Sequence, residues 1–176
     1  MKVNIRQEKP LDYPQVSYII GKAFKNEIHS DHQEQILVEN LRGSESYIPE
    51  LALVAEIGDT IVGYILLTKL KIIGKDKMAE SLALAPVCVL PDFHHQSIGS
   101  QLIEKAHHTA RKMGFQSVIL LGHEDYYPRF GYELTSKYGI ELPFEAPEEN
   151  CMIIELEKDG LKGVSGQVEY PKVFFD

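Results

Sequence analysis

The segment from Leu84 to Ser100 limits the fold of this chain more than any other part of the sequence. An apolar run with β-branched residues ends at Pro91, a polar turn follows, and an amphipathic pattern then begins at Ile98. A strand, a turn and a helix in this order direct consecutive backbone N–H groups to the positive end of the helix dipole. The segment therefore predicts a binding site for a phosphate-bearing ligand at the start of the helix.

Length and charge narrow the class of protein. With 176 residues, the chain is long enough for one domain with a sizeable core. Its formal net charge is -8, and the acidic residues are spread along the sequence. Because such an average field repels a polyanion, we expect no nucleic-acid partner.

Two further features bear on where the protein works. No run reaches the ~18 apolar residues that a membrane-spanning helix needs, and Met1–Arg6 lacks the apolar block of a secretion signal. The two cysteines, Cys88 and Cys151, form no Cys-x-x-Cys pair. We therefore predict reduced thiols in a cytoplasmic protein with no membrane partner.

Hydrophobic periodicity predicts three helices. The first begins after Asp12, its expected N-cap, and a second spans 31–42 and ends at Gly43. The third spans 98–113, with Met113 on its apolar face and Gly114 after its end. The inward residues of the first two helices are expected to be Val16, Ile19, Ile20, Ala23, Phe24, Ile36, Leu37 and Leu41.

Strand patterns lie between and around these helices. We predict strands at residues 3–7, 51–57, 60–70, 81–89, 118–121, 132–134 and 152–156, with Gly58-Asp59 as a hairpin turn and 71–77 as a connection. Pro86 lacks an N–H, so a bulge or an unpaired position is expected there. Mixed strands and helices indicate an α/β domain, with its ligand at the carboxyl end of the 81–89 strand.

A family resemblance rests on the same segment. The pattern Val89-x-Pro91-x-x-His94-x-x-Ser97-Ile98-Gly99-Ser100 resembles the acetyl-CoA-binding motif of the GNAT N-acetyltransferase superfamily. That motif is commonly Gln or Arg, two residues, Gly, any residue, then Gly or Ala. The stretch Tyr126–Tyr132 is similar to the family's closing segment, and residues 160–174 resemble the C-terminal extension of its YhbS-like bacterial subgroup.

The resemblance implies a fold and a co-substrate. The fold would be a GNAT fold, a mixed and mostly antiparallel sheet with splayed strands flanked by helices. A single N-acetyltransferase domain would span residues 1–176, with a core at about 3–150 and an extension at 151–176. Acetyl-CoA would insert its pantetheine arm like an extra strand, and a bulge N–H would polarise the thioester carbonyl. The implied contact residues are Cys88, Val89, His94, His95, Gln96, Ser97, Ile98, Gly99 and Ser100.

Two residues depart from the family pattern. His94 replaces the usual Gln or Arg, and it holds a full positive charge only when protonated. Ser97 replaces the first glycine, so it must avoid a positive φ or accept strain. We therefore predict weaker diphosphate binding than in a standard member, and binding that depends on pH between about 6 and 8.

Tyr127 matches the family's tyrosine and is the candidate general acid for the leaving thiolate. A phenol keeps its proton at neutral pH and can donate it late in the reaction. The alternative is that Tyr127 is a half-buried packing residue. No general base is assigned, although Glu27, Glu50, Glu80 and His123 are candidates.

The seven histidines are predicted to be solvated and to hold no metal. His107 and His108 are adjacent on a helix, where neighbouring side chains point about 100° apart, so they do not easily share an ion. No His-Glu-x-x-His motif occurs.

The implied reaction is acetyl transfer to a primary amine of a small molecule or a protein, by direct attack in a ternary complex. The alternative is a catalytically weak or inactive acyl-CoA-binding module. In the family, acceptor choice lies in the first two helices and the connecting loops, here including 29–35, 45–50 and 133–150. The acidic residues of the last loop could attract a cationic amine; the alternative is an ordinary exposed acidic loop. The family resemblance also makes a homodimer possible.

Overall fold

The computed structural model describes residues 2–176, which divide into two compact units. The first unit contains the residues up to Leu67 together with Ala85–Thr109. The second contains Thr68–Leu84 and Ala110–Asp176. The strands of the described residues form a mixed sheet of parallel and antiparallel neighbours that is flanked by helices, as the GNAT resemblance implied.

In the first unit, strands are neighbours in the order β1, β2, β3, β4. β1 (Asn4–Gln7) runs antiparallel to β2 (Tyr47–Ile57). The other two strands, β3 (Thr60–Ile73) and β4 (Met78–Val89), lie only partly in this unit. Gly58, at φ 61°, forms the predicted turn between β2 and β3. From Ile61 to Leu67 every residue of β3 is buried, because both faces of the strand are covered.

The helices of this unit are α1 (Tyr13–Phe24), α2 (Glu34–Arg42) and most of α3 (Ile98–Lys112). Asp12 lies at the predicted N-cap position of α1, but its side chain does not cap that helix. The carboxylate instead accepts the Lys9 N–H at 2.7 Å and the Arg6 guanidinium at 2.8 Å. It thereby closes the 3-10 turn at Pro10–Asp12, which precedes α1.

Two predicted inward residues point to solvent. α2 begins three residues later than expected and buries Val38 and Leu41, which places Ile36 on the opposite face with 49% of its surface exposed. Met113 follows the end of α3 and is 42% exposed. The rest of the predicted α3 face is buried: Ile98, Leu102, Ile103, Ala106 and Ala110.

In the second unit, β5 (Ser117–Leu121) runs parallel to β4, with Leu82 opposite Val118 and Ala83 opposite Ile119. β5 also pairs antiparallel with β8 (Cys151–Glu155), which pairs with β6 (Glu133–Leu134). β7 (Ile140–Glu141) runs parallel to β9 (Gly166–Glu169), and β9 pairs with the end of β3.

The 71–77 connection is shorter than predicted. β3 continues to Ile73, where Lys71 lies opposite Glu169 of β9, and the Gly74 N–H donates to the Lys77 carbonyl at 2.9 Å to close the turn. The predictions contained no counterpart of β7 or β9. Ile72 and Val168 meet in the core of this unit, so β9 depends on a partner nearly one hundred residues away.

β4 is a continuous strand through Pro86 rather than an interrupted one. Its hydrogen bonds nevertheless indicate an extra residue. The Leu90 N–H donates to Val62 O and the Gly74 N–H to Lys77 O. From Val62 to Gly74, β3 advances by 12 residues, whereas β4 advances by 13 from Lys77 to Leu90. An antiparallel ladder advances equally on both strands, so this span of β4, which contains Pro86, holds a bulge.

Candidate functional site

α3 begins with backbone N–H groups that have no helical acceptor. Within residues 2–176, the first backbone hydrogen bond of this helix runs from Gln101 N to Ser97 O at 3.0 Å. In an α-helix each N–H donates to the carbonyl four residues earlier. For Ile98, Gly99 and Ser100 that carbonyl would lie before the start of α3, so the helix itself offers these three N–H groups no acceptor. Together with the helix dipole, these three donors form a site suited to an anion.

The turn before α3 contains two residues in the left-handed region. His95 has φ 64° and Ser97 has φ 61°, and both side chains are exposed. A residue with a Cβ is strained at such angles, so of the two alternatives predicted for Ser97 the structure shows the strained one. The sequence did not predict the same angle at His95. Strained backbone of this kind is concentrated at ligand-binding turns.

His94 closes this turn onto β4. Its Nε2 atom lies 2.9 Å from the Val89 carbonyl oxygen. Because a carbonyl only accepts, Nε2 carries a proton and donates it to this bond. Nδ1 then accepts hydrogen bonds in the neutral ring and donates only in the protonated ring. His94 therefore offers an anion a further donor only in its charged form.

Gly63 of β3 lets α3 approach the sheet closely. A Cβ at this position would lie 3.0 Å from Leu102 Cδ1, and 3.3 Å from both Ile98 Cγ2 and Cys88 O. The glycine therefore fixes the start of α3 against the end of β4. Sequence reasoning did not single out this residue, although a glycine inside an apolar strand is itself a signal of close approach.

Tyr127 belongs to the second unit. It begins the 3-10 turn Tyr127–Phe130, which is followed by Gly131 at φ 105°. Its ring is 9% exposed and packs edge-on against Tyr126 and Tyr132. Gly122 provides the space, because a Cβ there would overlap the Tyr127 ring. Burial, with a smaller contribution from Tyr126, raises the pKa of the Tyr127 phenol, which therefore remains a proton donor at neutral pH.

Comparison with known proteins identifies the family to which this chain belongs. The acetyltransferase (GNAT) domain family matches residues 49–134, which include the turn, the start of α3 and Tyr127. The N-acetyltransferase YhbS of Escherichia coli strain K12 is 28% identical over 171 residues, 97% of each chain. The chain belongs to the GNAT family of acetyltransferases.

Further similar proteins support this assignment. YjhQ, another N-acetyltransferase of Escherichia coli K12, is 36% identical over 119 residues, 67% of this chain and 66% of YjhQ. The crystal structure of YhbS in complex with CoA matches this GNAT chain with a TM-score of 0.90 and 26% identity, covering 100% of this chain and 93% of that one. A GNAT acetyltransferase from Brucella melitensis in complex with acetyl-CoA gives a TM-score of 0.80 at 26% identity, with 98% of each chain covered.

Cys88 of this GNAT domain is a buried thiol at the end of β4. Burial, and secondarily the Glu34 carboxylate, raises the pKa of this thiol to about 12. A protonated thiol is a poor nucleophile, so this side chain serves in packing.

The remaining candidates lie at the surface. Glu27, Glu50, Glu80 and His123 are all exposed. Among the histidines, His107 is buried on α3, so the prediction that all of them are solvated is wrong for this residue. Within residues 2–176, no group of three or more His, Cys, Asp or Glu side chains is arranged to hold a metal ion, and no helix is long and apolar enough to cross a membrane.

Proposed function

We propose that this GNAT enzyme transfers the acetyl group of acetyl-CoA to a primary amine of a small molecule or a protein, by direct attack in a ternary complex. The observation that carries the proposal is the set of free N–H donors at Ile98, Gly99 and Ser100. It is supported by the structures of YhbS with CoA and of the Brucella melitensis enzyme with acetyl-CoA.

In this proposal the diphosphate of acetyl-CoA accepts hydrogen bonds from the start of α3. The turn His95-Gln96-Ser97 would lie beside the diphosphate. The left-handed conformation of His95 and Ser97 would turn backbone N–H groups toward the anion. The pantetheine arm then extends along the backbone of Cys88 and Val89.

The chemical step requires positioning, carbonyl polarisation and a proton donor. The amine nitrogen attacks the thioester carbon, the C–S bond breaks, and the thiolate takes the proton of Tyr127. The nitrogen loses a proton as the intermediate collapses, and this proton replaces the one that Tyr127 gave. The products are the N-acetyl amine and the free thiol of CoA.

Two further parts of the proposal concern the protein's context. The thiols of Cys88 and Cys151 are both free, which favours work in the reducing cytoplasm. We also propose that residues 1–176 act as a single N-acetyltransferase domain. A homodimer stays a prediction from the family resemblance.

The test is acetyl transfer with purified protein. Acetyl-CoA is incubated with a panel of amines while thiol release and the mass of the N-acetyl product are followed. We expect product with at least one amine and a matching amount of CoA thiol. Tight acetyl-CoA binding without turnover on any amine would overturn the proposal and support the acyl-CoA-binding module.

A further inference from the structure

A cavity of about 320 Å³ lies between the end of α1 and the start of α2 in the first unit. Its size falls within the range of small-molecule sites. Its lining combines apolar side chains with polar and charged ones. The lining residues are Ile20, Gly21, Phe24, Lys25, His32, Glu34 and Gln35.

Specific contacts shape the cavity. The Gln35 amide donates to the Ser17 carbonyl at 2.6 Å and thereby fixes the start of α2 against α1. Gly21 leaves room for that amide, because a Cβ there would lie 2.8 Å from Gln35 Nε2. The Ser30 hydroxyl donates to the Glu34 carboxylate and orients it. The cavity is therefore a built feature of the helix pair, with one oriented carboxylate in its wall.

Glu34 also lies within electrostatic reach of the end of β4. Its carboxylate contributes to the raised pKa of the Cys88 thiol, second to burial. Cys88 is adjacent to Val89, along which the acetyl-bearing arm is proposed to lie. The Glu34 carboxylate therefore acts electrostatically on the end of β4 as well as lining the cavity.

We propose that Glu34 binds the ammonium group of the acceptor in this cavity and takes its proton before attack. This inference rests on the proposed acetyl transfer. The ammonium gives one proton to the Glu34 carboxylate, the free amine attacks the thioester carbon, and Glu34 later releases its proton to water. Attack by a free amine requires this deprotonation, and no other carboxylate lines the cavity within the described residues.

The charges around Glu34 also indicate the class of acceptor. Lys25 from the end of α1 and His32 from the preceding turn face the same cavity. A second cation on the ligand would meet Lys25, whereas Ile20 and Phe24 offer apolar surface to a carbon chain or ring. We therefore expect a monoamine with an apolar body, such as phenethylamine as a probe, to be preferred over spermidine.

The decisive variant is Glu34→Gln, which keeps an acceptor for Ser30 and removes the charge and the basicity. Glu39→Gln, on the exposed side of the same helix, is the matched control. We expect kcat/KM for phenethylamine to fall about 100-fold in Glu34→Gln at pH 7. The defect should shrink as pH rises toward the range in which the amine is free in solution. Because Lys25 and His32 line the same cavity as Glu34, a His32→Asn variant is measured in parallel.

The outcomes separate this inference from the proposed function. Affinity for acetyl-CoA should stay within about twofold of the parent in both Gln variants, and Glu39→Gln should keep full turnover. Equal pH profiles for the parent and Glu34→Gln would overturn the role of Glu34, as would loss of turnover in His32→Asn alone. A preference for spermidine would overturn the monoamine class. If the parent acetylates no amine, the proposed function itself fails.

Discussion

Ser97 stands at φ 61° in the turn that begins α3, a position at which its Cβ is crowded by the following carbonyl. The left-handed conformation costs a residue with a Cβ about 1–2 kcal/mol relative to glycine. We predict that Ser97→Gly raises the free energy of unfolding by about 1 kcal/mol and retains acetyl-CoA binding. Denaturant unfolding and calorimetric titration measure the two effects.

Ser100→Gly is the matched control, because Ser100 lies inside α3. There the same substitution should lower stability by about 0.5 kcal/mol, since glycine is a poor helix former. A Ser97→Gly protein that is less stable than the parent would show that the turn is not strained at this residue.

Tyr127 combines burial with a raised phenol pKa, the properties of a proton donor at neutral pH. Tyr127→Phe keeps the ring in its aromatic cluster and removes only the hydroxyl. We predict that kcat falls about 100-fold while the Kd for acetyl-CoA is unchanged. Tyr126→Phe is the control and should keep turnover, because Tyr126 is the more exposed neighbour. Unchanged kcat in Tyr127→Phe would remove this residue from the mechanism.

The protonation state of His94 should affect diphosphate binding, because only the protonated ring offers an Nδ1–H donor in addition to the bond from Nε2 to Val89. We predict that acetyl-CoA affinity, measured between about pH 6 and pH 8, is higher at the lower pH, where more of the ring is protonated. His94→Gln should bind with little pH dependence over that range. Calorimetric titration at several pH values gives the slopes, and parallel slopes for the two proteins would contradict this role.

At the scale of elements, the approach of α3 to β3 and β4 depends on Gly63. A methyl group at this position would meet Leu102, Ile98 and the Cys88 carbonyl within 3.3 Å. We predict that Gly63→Ala lowers stability by about 1–3 kcal/mol, the usual range for overpacking, and also weakens acetyl-CoA binding because the start of α3 moves.

The control for this element is Gly43→Ala after α2, where the nearest atom to an added Cβ is 3.7 Å away. That change should affect neither acetyl-CoA binding nor the packing of α3. If Gly63→Ala binds acetyl-CoA as the parent does, the helix start tolerates displacement and the site is less dependent on this contact than the geometry indicates.

Across the whole molecule, sequence patterns predicted the elements whose partners are local or whose burial is complete. The buried face of α3 and the apolar run of β5 needed no knowledge of distant residues. The end of β3 carried a usable signal, since Lys69 and Lys71 are exposed and Leu70 and Ile72 are buried in alternation. Its charge suggested a connection instead. β9 is too short to predict alone, because it exists through pairing with β3.

The candidate site divides in the same way. The turn, the start of α3 and Tyr127 follow from spaced motifs in the sequence. Gly63 and Glu34 do not, because their significance comes from what folding brings beside them, the Cys88 carbonyl in one case and a cavity in the other. A backbone angle such as that of Ser97 is also invisible in the sequence, where only the two alternatives can be stated.

The proposed function depends most on the binding of a diphosphate by main-chain amides at the start of α3, and NMR titration of the ¹⁵N-labelled protein tests this binding directly. CoA should shift the amide resonances of Ile98, Gly99 and Ser100 strongly, whereas pantetheine, which has no diphosphate, should leave them nearly unchanged. If CoA binds and these three resonances do not move, or if pantetheine moves them equally, the proposed mode of diphosphate binding is contradicted.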